Sequence, residues 1–288
     1  MRCFNSLKQD LNKTLLNIGF LGAVLLTAVL CFTAPTYHDL TTDRSYSVFE
    51  SFFSFKRDFM QSDQQFASLN VFQNGLGGYI TMFLPIIVAF PFMVSFCAER
   101  NSGLMRFTIS RTGCLRYYLS KFFAVMIGGG LAAMLGYAIY GAVVYGFFPN
   151  LNSYQMDEFM QEMYPDGQAL QVLKMLLGAF IYGAITTLPA FLISSFSRNP
   201  YLITCVPFLM VYIWNTAINK LVLKAWENDD TELAQKLFDF TPDSSRNIAF
   251  LTVWNDSTQR IVIFNSILVV GVIVLFSLIM NLRKDRGV

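Results

Sequence analysis

Six stretches of the chain, at about residues 14–34, 78–97, 122–147, 172–196, 201–219 and 261–282, are each apolar over the length that a helix needs to cross a bilayer. Lipid offers no hydrogen-bond partner to a backbone amide or carbonyl. A crossing segment must therefore satisfy its own backbone, which a helix of about 20 residues does over the roughly 30 Å hydrocarbon core. The chain is expected to be an all-α integral membrane protein with six transmembrane helices, forming a single domain over 1–288. Its charge agrees: 14% of residues are Asp, Glu, Lys or Arg, against about 25% in an ordinary soluble domain.

The first segment follows Arg2, Lys8 and Lys13, as the apolar core of a signal peptide would. It is longer than such a core and five more segments follow, so a retained helix is expected. Ala28-Val29-Leu30 also lacks the small residue that a lipoprotein cleavage site places before its cysteine, here Cys31. Pro85 and Pro91 in the second segment, Pro189 in the fourth and Pro207 in the fifth remove helix hydrogen bonds and predict kinks.

Orientation follows from the basic residues. With the N-terminus inside, cytoplasmic segments hold Arg2, Lys8, Lys13, Arg100, Arg106, Arg111, Arg116, Lys121, Arg198, Arg283, Lys284 and Arg286, against only Asp10, Glu99 and Asp285. The outer segments then hold the other nine basic residues and sixteen acidic ones. This positive-inside pattern predicts a multi-pass protein of the cell membrane with both termini cytoplasmic.

Three external loops result, at 35–77, 149–171 and 220–260. The last carries an amphipathic run, Leu221, Leu223, Ala225, Trp226, Leu233, Leu237 and Phe238, that fits either the outer membrane interface or a loop helix packed on the bundle. Gly128, Ala132 and Gly136, then Ala138, Ala142 and Gly146, put small residues at four-residue spacing for close helix contact, within the bundle or across a dimer.

The remaining chemistry is mostly exclusion. The interiors of the six segments carry no Asp, Glu, Lys, Arg or His, with Lys174 near enough to an end to snorkel, which disfavours an autonomous ion-coupled carrier. The single histidine, His38, lies outside the segments next to Asp39, and no HExxH or CxxC is present, so no catalytic or metal-ligating set is expected. Asp157-Glu158 and Asp229-Asp230 read as solvated acidic pairs. A net charge of +2 gives no reason to expect nucleic acid. No GxxxxGK[ST] occurs, so a nucleotide-driven process would need its motor, and the ATP, on a separate polypeptide.

One cytoplasmic loop, 98–121, combines Glu99, Arg100, Arg106, Arg111 and Arg116 with Leu104, Phe107 and Ile109. This pattern predicts a short interfacial helix ending near Ser110, then a turn into the third segment. Its Glu99, Gly103-Leu104, Ser110-Arg111, Tyr117 or Tyr118, and Lys121 stand in the order and spacing found after the second of six helices in permease subunits of type-2 ABC exporters. The chain resembles that family over this motif and in its six-helix layout. It departs in having Thr108-Ile109 where proline is frequent, and in the length of 35–77.

The resemblance implies a type-2 ABC exporter-like bundle that acts as a transport subunit with no cofactor of its own. It also implies a separate ABC ATPase, a second permease as homodimer or heterodimer, and a lipid surround. Glu99, Gly103, Leu104, Arg106, Ser110, Arg111 and Lys121 would then form the ATPase-coupling interface. An uncharged, aromatic-rich path suits an amphipathic cargo such as a peptide, drug or lipid-linked molecule. Thr186, Thr187, Asn215, Thr216 and Asn265 are polar within the segments and could equally be interhelical hydrogen bonds. The alternatives are a membrane sensor or assembly protein, a stand-alone secondary carrier, and an intramembrane enzyme.

Overall fold

The first apolar segment is not one continuous helix. In the structure, a computed structural model that describes residues 2–39, 43–77, 79–151, 154, 168–238, 240 and 256–284, helix α1 (Arg2–Leu15) and helix α2 (Ile18–Cys31) meet at 60°. The cause is local. Asn17 leaves the helical region (φ −94°, ψ 140°) and its Oδ1 accepts a hydrogen bond from Gly19 N at 3.1 Å, so it caps a new helix rather than extending the old one. The expected span 14–34 is corrected accordingly. α2 alone rises about 21 Å, and α1 turns away with Leu7 and Leu11 against the core while Lys8 and Lys13 face out.

A β-hairpin follows, β1 (Pro35–Asp39) with β2 (Arg44–Ser47), paired antiparallel. Short helices α3 (Val48–Ser54), α4 (Arg57–Ser62) and α5 (Ser68–Asn74) come next, so the 35–77 loop is a folded unit. Ser47 starts α3 with a reciprocal cap: its Oγ accepts from Glu50 N, and Glu50 Oε2 accepts from Ser47 N at 2.9 Å. His38 is used within the hairpin, its Nδ1 lying 3.0 Å from Ser45 Oγ.

The remaining long helices are α6 (Ile80–Asn101), α8 (Cys114–Phe147), α9 (Gln168–Thr186) with its continuation α10 (Leu188–Ile193), α11 (Pro200–Glu227) and α13 (Asp256–Lys284). Between α6 and α8 lies α7 (Leu104–Thr112), and after α11 comes α12 (Thr231–Phe238). Among the described residues five spans are long and apolar enough to cross a membrane, and the bent α1–α2 pair supplies a sixth candidate. Pro85, Pro91 and Pro207 sit inside helices, whereas the Pro189 region interrupts the fourth span at Thr187.

α8 is the central post. At Gly136 an added Cβ would come within 2.7 Å of Val24 O, and at Gly130 within 2.7 Å of Phe180 O, so glycine is what lets α2 and α9 approach α8 this closely. Gly128 likewise faces Thr14. The small-residue face 128/132/136 therefore serves contact within the bundle, while Gly146 has no neighbour at that range.

Two apolar clusters stack along this post. One joins α8 to the 35–77 unit, where Phe72 stacks on Tyr137 at 4.2 Å and Tyr140 OH donates to Val71 O at 2.7 Å. The other lies at the α7 end, around Phe96, Phe122, Phe191 and Phe276. Since Phe276 and Met280 belong to this second cluster, the last turns of α13 lie at the same end as α7 and α1.

The run 221–238 forms the end of α11 and α12, which fold on each other through Val222, Ala225, Ala234 and Leu237. Asp230 caps α12 by accepting from Leu233 N at 3.0 Å. Asp157-Glu158 lies outside the described residues.

Candidate functional site

The 98–121 loop folds into a helix held between two glycines. Gly103 (φ +74°) and Gly113 (φ +84°) occupy the left-handed side of backbone space, which costs glycine little. The chain thereby turns sharply into and out of α7, which runs two residues past its predicted end. Met105 and Ile109, four apart and so on one face, pack on the core cluster. Leu104, Arg106, Phe107, Ser110 and Arg111 are exposed, Phe107 at 70%. Thr108, Ser110 and Thr112 return their hydroxyl protons to carbonyls of α7 itself, Thr112 to Thr108 O at 2.8 Å.

Glu99 and Lys121 behave differently from the other motif residues. They bracket α7 and turn inward. The Lys121 ammonium, its side chain 5% exposed, donates to Glu99 Oε2 at 2.6 Å and to Asp10 Oδ1 at 2.7 Å. Ser120 Oγ donates to Asp10 Oδ2 at 2.6 Å, Lys13 Nζ donates to Glu99 Oε1 at 2.9 Å, and Tyr117 OH reaches Glu99 Oε2 at 3.4 Å. Two carboxylates and two ammonium groups thus balance in one cluster joining α1, α6 and α8. Shared hydrogen bonds offset the loss of hydration that a buried charge suffers.

The neighbouring Arg100 extends the same base sideways. Its Nη1 donates to Ser197 O at 2.8 Å and also to Ser194 O, fixing the turn between α10 and α11 against the end of α6. α7 is accordingly held at its two ends and along the Met105–Ile109 face, the rest of its surface being exposed. A short helix on a charge-locked base can pass a push to α6 and α8 with little loss, and an exposed apolar surface flanked by arginines suits an apolar, acidic partner.

The sequence motif pointed to Gly103, Leu104, Arg106, Ser110 and Arg111 as surface and to Glu99 and Lys121 as part of the same surface. The structure separates the two groups. It also adds Asp10, Lys13 and Ser120, which sequence reasoning missed. The available signal was the placement of Asp10 on the inward face of an amphipathic helix, between Leu7 and Thr14 at helical spacing.

Several polar residues inside the spans bond locally. Thr186 and Thr187 donate to Tyr182 O at 3.0 Å and Ala184 O at 2.7 Å, Thr216 donates to Tyr212 O at 2.8 Å, and Asn219 donates to Asn215 Oδ1 at 3.4 Å. Each of these bonds joins residues three or four apart in sequence, so for Thr186, Thr187, Asn215 and Thr216 they are local rather than interhelical.

Residues 56–283, most of the chain, match the family model described as ABC-2 family transporter protein. No curated protein matches the chain.

Proposed function

This chain belongs to the ABC-2 transporter family and is a multi-pass membrane subunit of permease type, and we propose that it couples to its ABC ATPase partner through α7. The observation that carries this reading is the division of labour in the 98–121 loop. Leu104, Arg106, Phe107, Ser110 and Arg111 face outward on a helix whose base is locked by Lys121, Glu99 and Asp10. In this reading the ATPase binds and hydrolyses ATP, and its movement displaces α7 as a rigid body together with α6 and α8.

The positive-inside pattern supports placing the α7 end, with both termini, in the cytoplasm of a cell whose surface membrane holds the protein. A second permease completes the transporter. α11 buries little of its surface within the chain and exposes Tyr201, Tyr212 and Trp214, leaving a face for that copy. Export of an amphipathic cargo fits spans whose interiors are aromatic and uncharged.

The test is purification from native membranes. A stoichiometric Walker A protein should accompany the chain, and Arg106→Glu combined with Arg111→Glu should lose it while membrane insertion is unchanged. Consistent absence of such a partner, or a double variant with unaltered association and export, overturns the reading.

A further inference from the structure

At the end of the bundle opposite α7, an open groove of about 1210 Å³ lies between the C-terminus of α2, the hairpin, α3 and the end of α8. Phe32, Phe52 and Val143 form its inner side, and the Phe147 ring lies 5.0 Å from that of Phe52. Phe49 and Phe53 of α3 form its outer wall, their rings 5.3 Å apart. Polar groups gather on one rim. Ser45, Ser47 and Glu50 line the groove there, and Arg44 pairs with Glu50 at 3.7 Å.

The groove is continuous with the lipid-facing side of α2. Leu21, Leu25 and Val29 stand four residues apart on one exposed face, and Val29, 60% exposed, is also a groove residue. About 12 Å of apolar helix surface thus leads into the opening. Exposed aromatics surround it at the level of the helix ends, Phe53 at 79% with Phe49, Tyr79 and Phe147, as aromatic side chains gather at a membrane interface.

We propose that this groove holds one acyl chain of a bilayer phospholipid, with the headgroup at the Ser45–Glu50 rim. The apolar lining takes the chain. The Arg44 guanidinium, 4.8 Å above the Tyr46 ring, offers its donors to the phosphate. A water-soluble ligand would have no use for the α2 approach, whereas a lipid tail reaches the groove without leaving an apolar surface. The inference rests on the membrane-spanning fold and not on ATPase docking, so either can fail without the other.

The full chain, reconstituted in phosphatidylcholine vesicles doped with a phosphatidylcholine carrying a diazirine near one acyl terminus, is irradiated and its adducts mapped by mass spectrometry. Adducts should concentrate on residues 29–35, 45–53 and 143–147, above the level at Ile267, Val270 and Val274, exposed residues of α13 that report ordinary lipid contact. Val143→Trp fills the groove and should lower its adducts about tenfold, equivalent to about 1.4 kcal/mol, with the α13 adducts unchanged. Should that variant not fold, Phe53→Ser, whose side chain lies outside the core, carries the same comparison and should also lower the groove signal.

Equal labelling of groove and α13 overturns the proposal, as does groove labelling that survives the substitution. So does a groove that takes no label, whether a second copy or another segment of the chain covers it.

Discussion

The Lys121 ammonium lies buried 2.7 Å from the Asp10 carboxylate, a contact that spans 111 positions of sequence. It ties α1 to the start of α8, and through Glu99 to the end of α6. Lys121→Met leaves Asp10 without its cation in a buried setting and should cost about 3–5 kcal/mol, as breaking one side of a buried pair does. Adding Asp10→Asn to Lys121→Met should recover much of that loss, since Glu99 retains Lys13 at 2.9 Å. Thermal unfolding of the purified variants in mild detergent measures both, and equal stability of the single and double variants contradicts the account.

Close packing against α8 makes a second prediction. Gly136→Ala places a Cβ 2.6 Å from Thr27 Cβ and 2.7 Å from the Val24 carbonyl, where backbone rather than a side-chain tip must yield. It should destabilise by about 1–3 kcal/mol. Gly146→Ala meets nothing within 4 Å and should stay within about 0.5 kcal/mol of the parent. The comparison, by thermal unfolding, separates helix contact from general intolerance of the glycines.

The outer face of α7 can be altered without touching its anchor. Leu104→Ser with Phe107→Ser removes exposed apolar surface only, because Met105 and Ile109 provide the packing. ATPase association should fall about tenfold, equivalent to about 1.4 kcal/mol, with the unfolding temperature unchanged. Binding by a pull-down titration is the readout.

Much of this was legible in the sequence because lipid leaves the chain few choices. Uninterrupted apolar runs located the long helices, although α8 begins at Cys114 rather than 122 and α11 continues to Glu227 rather than 219, and the Gly103-Leu104 motif located α7. The bend at Asn17 was not legible, since a polar residue near the edge of an apolar run reads as the edge itself. Its capping bond to Gly19 is visible only once the backbone leaves the helix. The hairpin and short helices of 35–77 were hidden because a segment judged only by the absence of a long apolar run reads as loop. Glu99 and Lys121 were found by spacing but not by direction. Their inward turn depends on Asp10, and charge counting had treated that residue as one more surface acid.

The 35–77 unit carries a pH dependence. The Ser47 amide and hydroxyl, with Arg44 adding to them, hold the Glu50 carboxyl below its usual range. A carboxyl so lowered stabilises the fold above its unfolded value, and that contribution disappears as pH falls through the lower, folded value. Hydrogen exchange at the first amides of α3, corrected for intrinsic rate, should therefore lose protection toward acid. Glu50→Gln should flatten the dependence, and an unchanged profile in that variant contradicts the assignment.

The most direct test of the central claim is photo-crosslinking from a benzophenone amino acid placed at Phe107 on α7, compared with the same group at Phe53 on α3. The two positions lie at opposite ends of the bundle and both are exposed. The account predicts an adduct with the ABC ATPase from position 107 and none from position 53. No adduct from 107, or equal adducts from both, would contradict docking of the ATPase on α7.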